Sequence, residues 1–347
     1  MRTARWVPLG TFATVVSLAM AAGWFLSAAA GFPLGRCRAV ELPLPHGYIG
    51  ADIVGMDPTG QYIVGSGYRA KKYLNDLLLP GCCLWRDGGR RVSTVEESGG
   101  TEAVNARGDV LGTDRILRAD GTVVRLDVWG AKALNSRGDA VGTVIESGLQ
   151  VPVIWDADRA GKRRTLEPGW PSDHSGAEAI NDDGVVAGYL SHSDPPGLHT
   201  VTVWRPDGSW FQLGDPGLTD LLVLRGDMLL DRRPDSVDVY DPHPPDATRI
   251  WNLRNRTSTL VPRGVTLQDV NSSGAAAGYL GFDPGGEEKS AITHAALVRD
   301  GRIVRLPEAG GDRSSVAMAI SDDGVVAGTL NDLDPGGRRR PVVWLGC

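Results

Sequence analysis

One short block recurs along the chain: TEAVNARGDVLGT from Thr101, AKALNSRGDAVGT from Ala131, AEAINDDGVVAGY from Ala177, LQDVNSSGAAAGY from Leu267 and AMAISDDGVVAGT from Ala317, with a looser copy, ADIVGMDPTGQYIVGS, from Ala51. In each copy an apolar run leads to a polar turn and a Gly, and small or β-branched residues then run to a second Gly. Asn and Asp side chains bond back to their own backbone and Gly takes the positive φ of a tight turn. Each block is therefore a β-hairpin.

A second block follows the first: WRDGGRRV at Trp85, LRADGTVVRL at Leu117, WDADRAGKRRTL at Trp155, WRPDGSWFQL at Trp204, WNLRNRTSTL at Trp251 and VRDGRIVRL at Val298. It too is strand, turn, strand, so each repeat predicts four antiparallel strands. The turn glycines fall at Gly60, Gly108, Gly138, Gly184, Gly274 and Gly324, and the gap from Gly184 to Gly274 is about twice the others. DLLVLRGDMLLD, with Gly226 at its turn, fills that gap as a divergent copy. Seven repeats with a period in the low to mid forties match the length at which four-stranded propeller blades recur. The expected fold class is all-β: a seven-bladed β-propeller of four-stranded antiparallel blades over residues 37–347.

The last repeat, VVWLGC, stops at Cys347 after its third strand, while CRAVELP from Cys37 matches the fourth strand GRIVRLP of the sixth repeat. Ala39 to Leu42 should pair with Val342 to Trp344, so that both chain ends build the last blade and no edge strand is left exposed. That register makes Cys37 and Cys347 neighbours and predicts a disulfide between them. Closing so long a loop is worth about 5–6 kcal/mol on the chain-entropy account. Cys82 and Cys83 either bond to each other or pair with one of the terminal cysteines.

Arg2 and Arg5 are followed by no charge until Arg36, and TFATVVSLAMAAGWFLSAAA lies between them. As a helix it would span about 30 Å. Residues 1–30 read as a signal peptide with an Ala28-x-Ala30 cleavage pattern or as an uncleaved single-pass anchor. Both readings put the body outside the cell or at its surface, since the basic end stays in the cytoplasm. Disulfides fit that compartment. The net charge of −6 excludes a nucleic-acid partner, which needs a concentrated cationic face, and Arg338, Arg339 and Arg340 read as a solvated turn.

The recurrent A-I-N-x-x-G-x-V-x-G, followed by a Trp-bearing strand, resembles the HAF-type extracellular repeats of bacterial exported proteins, and His294-Ala-Ala-Leu-Val is the copy closest to their His-Ala-Phe motif. The resemblance covers Tyr48 to Cys347 and implies an extracellular propeller-like fold. It brings no catalytic residue. The first repeat, DPTGQYIVG, also looks like the turn of WD40-like propellers related to the translocation protein TolB.

Function is thinly written. Connections between second and third strands vary most, being long at Gly67 to Gly81, His192 to His199, Asp231 to Thr248, Gly281 to Ile292 and Asn331 to Arg340, and such loops carry recognition in propellers. The candidate binding residues are Tyr68, Arg69, Lys71 and Tyr73 in the first loop and His192 and His199 in the next. Asp235, Asp238 and Asp241 with His243 lack the spacing and glycine of a calcium loop. The pairs Asp182–Asp183 and Asp322–Asp323 repeat in the turn slot, where they cap turns. No nucleophile elbow, zinc helix or phosphate loop occurs, so no catalytic residue, cofactor or metal is assigned. The expectation is an exported, non-enzymatic binding or scaffold protein, monomeric, meeting the membrane only through its N-terminal segment, with an extracellular carbohydrate or protein ligand. The alternatives are an exported hydrolase or lyase using acidic residues at the propeller channel, and the outward-facing sensor domain of a membrane-anchored protein. Converging carboxyls in one pocket would favour an enzyme; a small, apolar channel mouth would exclude one.

Overall fold

The structure is a computed structural model, and it describes residues 37–347 apart from 72–73, 96–99, 128–129, 158–161, 168–174, 192–198, 218, 234–247, 263, 283–291, 309–312 and 333–337. The segment 1–30, read as leader or anchor, lies outside the described residues, among which no helix is long and apolar enough to cross a membrane.

The strands, in chain order, are β1 (Arg38–Glu41); β2 (Gly50–Met56), β3 (Ile63–Lys71), β4 (Leu74–Arg86) and β5 (Arg91–Thr94) in the first blade; and β6 (Ala103–Val104), β7 (Val110–Leu111), β8 (Arg115–Leu117) and β9 (Val123–Arg125) in the second. The third holds β10 (Gly130–Leu134), β11 (Ala140–Glu146), β12 (Leu149–Trp155) and β13 (Arg163–Thr165), and the fourth β14 (Ser175–Ile180), β15 (Val186–Ser191), β16 (His199–Trp204) and β17 (Trp210–Gly217). The fifth holds β18 (Leu221–Arg225), β19 (Met228–Arg232), β20 (Arg249–Asn252) and β21 (Thr257–Leu260), and the sixth β22 (Val265–Val270), β23 (Ala276–Phe282), β24 (Ile292–Arg299) and β25 (Arg302–Arg305). In the seventh, β26 (Arg313–Ile320), β27 (Val326–Asp332) and β28 (Arg339–Leu345) are completed by β1. This is the seven-bladed, four-stranded antiparallel ring that the repeats predict.

Closure follows the expected register: Ala39 pairs with Trp344, Val40 with Val343 and Glu41 with Val342. Cys37 is bonded to Cys347 across 310 residues of sequence, and Cys82 to Cys83. The vicinal pair is fully buried.

Each blade is covered on both faces, so its middle strands are apolar on both sides, as in AVGTV of β11. Seven apolar clusters result, each straddling one seam; Val64 and Leu84 of the first blade, for example, pack on Val104 and Val110 of the second. The fully buried Trp85, Trp155 and Trp344 donate their indole N–H to the connector from the preceding blade, at Pro43 O, Asp127 Oδ1 and Pro307 O.

Two local expectations are corrected. The stretch Gly67 to Gly81 is not a loop but an extended hairpin arm: the ladder absorbs two register shifts and continues, with Tyr68 opposite Leu78 and Lys71 opposite Leu74. The basic run is not simply a solvated turn either, because Arg339 and Arg340 lie on β28 and pair with Asp52 and with Glu41 (3.1 Å).

Candidate functional site in the central channel

The repeated block ends in a turn built around one side chain. Asn135 Oδ1 accepts the backbone N–H of Arg137 and Asp139, and Gly138 (φ +90°) closes the loop. The amide's other end leaves the blade: Asn105 Nδ2 donates to Asn135 O, Asn135 Nδ2 to Asn181 O, Asn181 Nδ2 to Gly226 O and Asn271 Nδ2 to Ser321 O, all at 2.8–3.1 Å. At the closing seam Asp322 N–H donates to Pro58 O instead. These turns rim a cavity of about 160 Å³ at one end of the channel. Asp182 and Asp322 sit in them, accepting from the Ser136 and Ser272 N–H of the preceding blade.

The innermost strands carry a second device. In five blades the ladder slips by one residue, leaving Val54, Lys132, Glu178, Gln268 and Met318 as extra, bulged residues. A bulge breaks the alternation of faces and re-aims a side chain. Here the bulged residues all line a second cavity of about 320 Å³ inside the channel, joined by Glu102 just ahead of β6 and Asp220 just ahead of β18. The facing strand must come close, which requires the second Gly of the block: a Cβ on Gly188 would stand 2.0 Å from Gly176 O.

Acidic and basic groups therefore converge on one wall of this funnel. Glu178 is largely buried, and burial pushes its carboxyl above the ordinary range; the Glu102 charge pushes the same way, while Lys132 and a bond from Tyr189 oppose. The Tyr189 phenol is pushed up to about 12 by its own burial and then by the Glu178 charge and hydrogen bond. Two carboxyls thus share a cavity in different surroundings, Glu178 enclosed and Glu102 exposed. Asp220 is held by Arg232 at 2.9 Å. Among the described residues no group of three or more His, Cys, Asp and Glu is placed to hold a metal ion.

The residues singled out from loop length are not gathered here. The half-buried Tyr68 phenol bonds Asp52, and burial followed by that bond raises its pKa; Arg69 stacks on the Tyr48 ring at 4.4 Å. Lys71 ends β3, and His199 opens β16 opposite Ser191 and Gly217. Tyr73, His192, Asp235, Asp238, Asp241 and His243 lie outside the described residues. Glu102, Lys132 and Glu178 were missed, although a signal existed: each is the second letter of its block, a charge set in an otherwise apolar run.

No family model matches the chain, and no curated protein sequence does. Solved structures do share the ring. The propeller domain of the trilobed protease of Pyrococcus furiosus superposes with a TM-score of 0.56 at 12% identity, covering 86% of this chain and 96% of that one. The acylaminoacyl peptidase of Pyrococcus horikoshii gives 0.56 at 12%, covering 85% and 51%. An acylaminoacyl peptidase bound to a chloromethyl ketone gives 0.57 at 12%, covering 86% and 51%. The chain thus spans about half the length of these peptidases, and the likeness establishes the fold alone. The first is described as an open-velcro ring, whereas here β1 and a disulfide close the circle.

The expectation of a non-enzymatic binding or scaffold protein is corrected by these findings. The rings it is similar to are propellers of peptidases, and among the small and apolar side chains that line the channel cavity stand the charged groups Glu102, Lys132, Glu178, Asp220 and Arg225.

Proposed function

We propose that this chain is an exported hydrolase working in its channel funnel, with Glu178 as general acid and Glu102 as general base. The observation that carries the reading is the pair itself: two carboxyls lining one cavity, the enclosed one held above its usual range and the exposed one not enclosed. Divided surroundings of this kind separate an acid from a base. Glu102 would take a proton from water as its oxygen attacks the scissile carbon, and Glu178 would give its proton to the departing atom. Proton exchange with solvent restores both groups. Lys132, on the blade between them, would steady the negative charge that develops. Hydrolysis is the chemistry named in the peptidase propellers that share the ring, and the two disulfides suit an oxidising space.

The test incubates the purified protein with panels of peptides and oligosaccharides and reads products by mass spectrometry. Cleavage lost in both Glu178→Gln and Glu102→Gln is the expected result. No product from either panel, or cleavage surviving both substitutions, would overturn the assignment.

A further inference from the structure

The fifth blade departs from the others at the slot where Asn closes the turn. Its first hairpin is shorter, with Arg225 pairing directly with Met228 across Gly226 and Asp227. Arg225 therefore stands where Asn105, Asn135 and Asn181 stand elsewhere, and it cannot make their bond to the next turn. It reaches across the channel instead. Its Nη2 donates to Met56 O on the first blade at 3.3 Å, three blades further round the ring. It lines both channel cavities, so the guanidinium is the floor of the funnel on one side and of the turn-rimmed cavity on the other.

This guanidinium is charged but poorly bonded. Asp269 faces it at 3.7 Å, beyond hydrogen-bond reach, and the Asp269 oxygens accept the N–H groups of Val270 and Ile320 at 2.9 Å. Arg225 Nε is buried with no acceptor. Leaving a buried donor unmade is costly, and a planar guanidinium fork is made for a carboxylate.

We propose that a peptide enters the funnel carboxyl end first and that its C-terminal carboxylate seats on Arg225. The proposal rests on the hydrolase reading for what happens next, and it names the substrate end that reading leaves open. The lining favours a peptide over a glycan: Val54, Leu221, Val223 and Met318 offer aliphatic and thioether surface, and among the described residues no aromatic ring lines the cavity for a sugar to stack on. Met is well suited to varied side chains. A monoanionic carboxylate also fits better than a dianionic phosphate, since Glu102, Glu178 and Asp269 stand around the same cavity.

Binding is measured calorimetrically on the unsubstituted protein, using tetrapeptides that end in Leu, Met or Phe, each as free acid and as C-terminal amide. The acids should bind at least about tenfold tighter, the effect of a charge-assisted hydrogen bond, and Arg225→Gln should erase the difference while Arg225→Lys keeps part of it. Equal binding of acid and amide, binding of neither, or capture of oligogalacturonides in place of peptides would overturn the proposal. Peptide hydrolysis without acid–amide discrimination removes this inference and leaves the hydrolase reading standing; discrimination without hydrolysis does the reverse.

Discussion

Glu178 and Asn181 stand three residues apart around one strand end, yet the first slot varies from blade to blade and the second keeps Asn in four of the seven blades. The Asn slot reads Asp57, Asn105, Asn135, Asn181, Arg225, Asn271 and Ser321, while the bulge slot reads Val54, Glu102, Lys132, Glu178, Gln268 and Met318 in the blades other than the fifth. Where Asn is present it joins one blade to the next, and the four seams that repeat this geometry use the same donor and a backbone acceptor. The bulged residue faces a shared void in which no seam constrains it. Variation inside a repeat thus separates the groups that can do chemistry from those that hold the ring together.

Substitutions along this line can break or sharpen the contrast. Glu178→Gln should lower turnover most, by about a thousandfold, the scale of lost general-acid catalysis, with an unchanged circular-dichroism spectrum. Asn135→Ala should do the opposite, lowering stability by about 2–3 kcal/mol in urea unfolding by stranding buried partners on two blades, with turnover per folded molecule unaltered. Lys132→Met should shift the pH profile. Lys132 holds the Glu178 pKa down against burial, and a general acid must be protonated, so the limb on which the rate falls with rising pH should move upward.

The same group makes the ring pH-sensitive. The Glu178 carboxyl is raised on folding, so its stabilising contribution is whole below the ordinary Glu value and is lost as pH rises through the folded one. Thermal unfolding should show that loss, and Glu178→Gln should flatten it. The smallest change is expected at Asp182→Ala, which loses its exposed bonds to Ser136. A stability loss of about 0.5–1 kcal/mol with full activity is the expectation; an activity collapse there would show that the rim does chemistry as well as structure.

Blade number, strand pairing and the Cys37–Cys347 link were legible in the sequence because each rests on local words that recur: Asn and Gly at fixed offsets, Trp at the third strand, CRAVELP matching GRIVRLP. The funnel was not legible. Strict alternation assigns Glu178 to a blade face, and only the one-residue slip between Ala177 and Ala179 turns it into the channel. The arm at Tyr68 read as a loop because its length exceeds a blade strand, yet Leu77, Leu78 and Leu79 continue the ladder against Arg69, Tyr68 and Gly67. Arg225 was hidden by a shortened turn that removed the Asn marking its slot.

The pairing of β1 with β28 also sets an order of events during synthesis. β1 leaves the ribosome before the rest of the ring, and its partner leaves last, so until then one strand waits with an open edge while six blades form behind it. Long-range pairing of this kind is slow and leaves edges open to wrong partners. A truncated chain lacking β28 would keep that edge indefinitely and should aggregate. An intact chain resolves it in a single late step, when its two ends find each other and the circle becomes covalent.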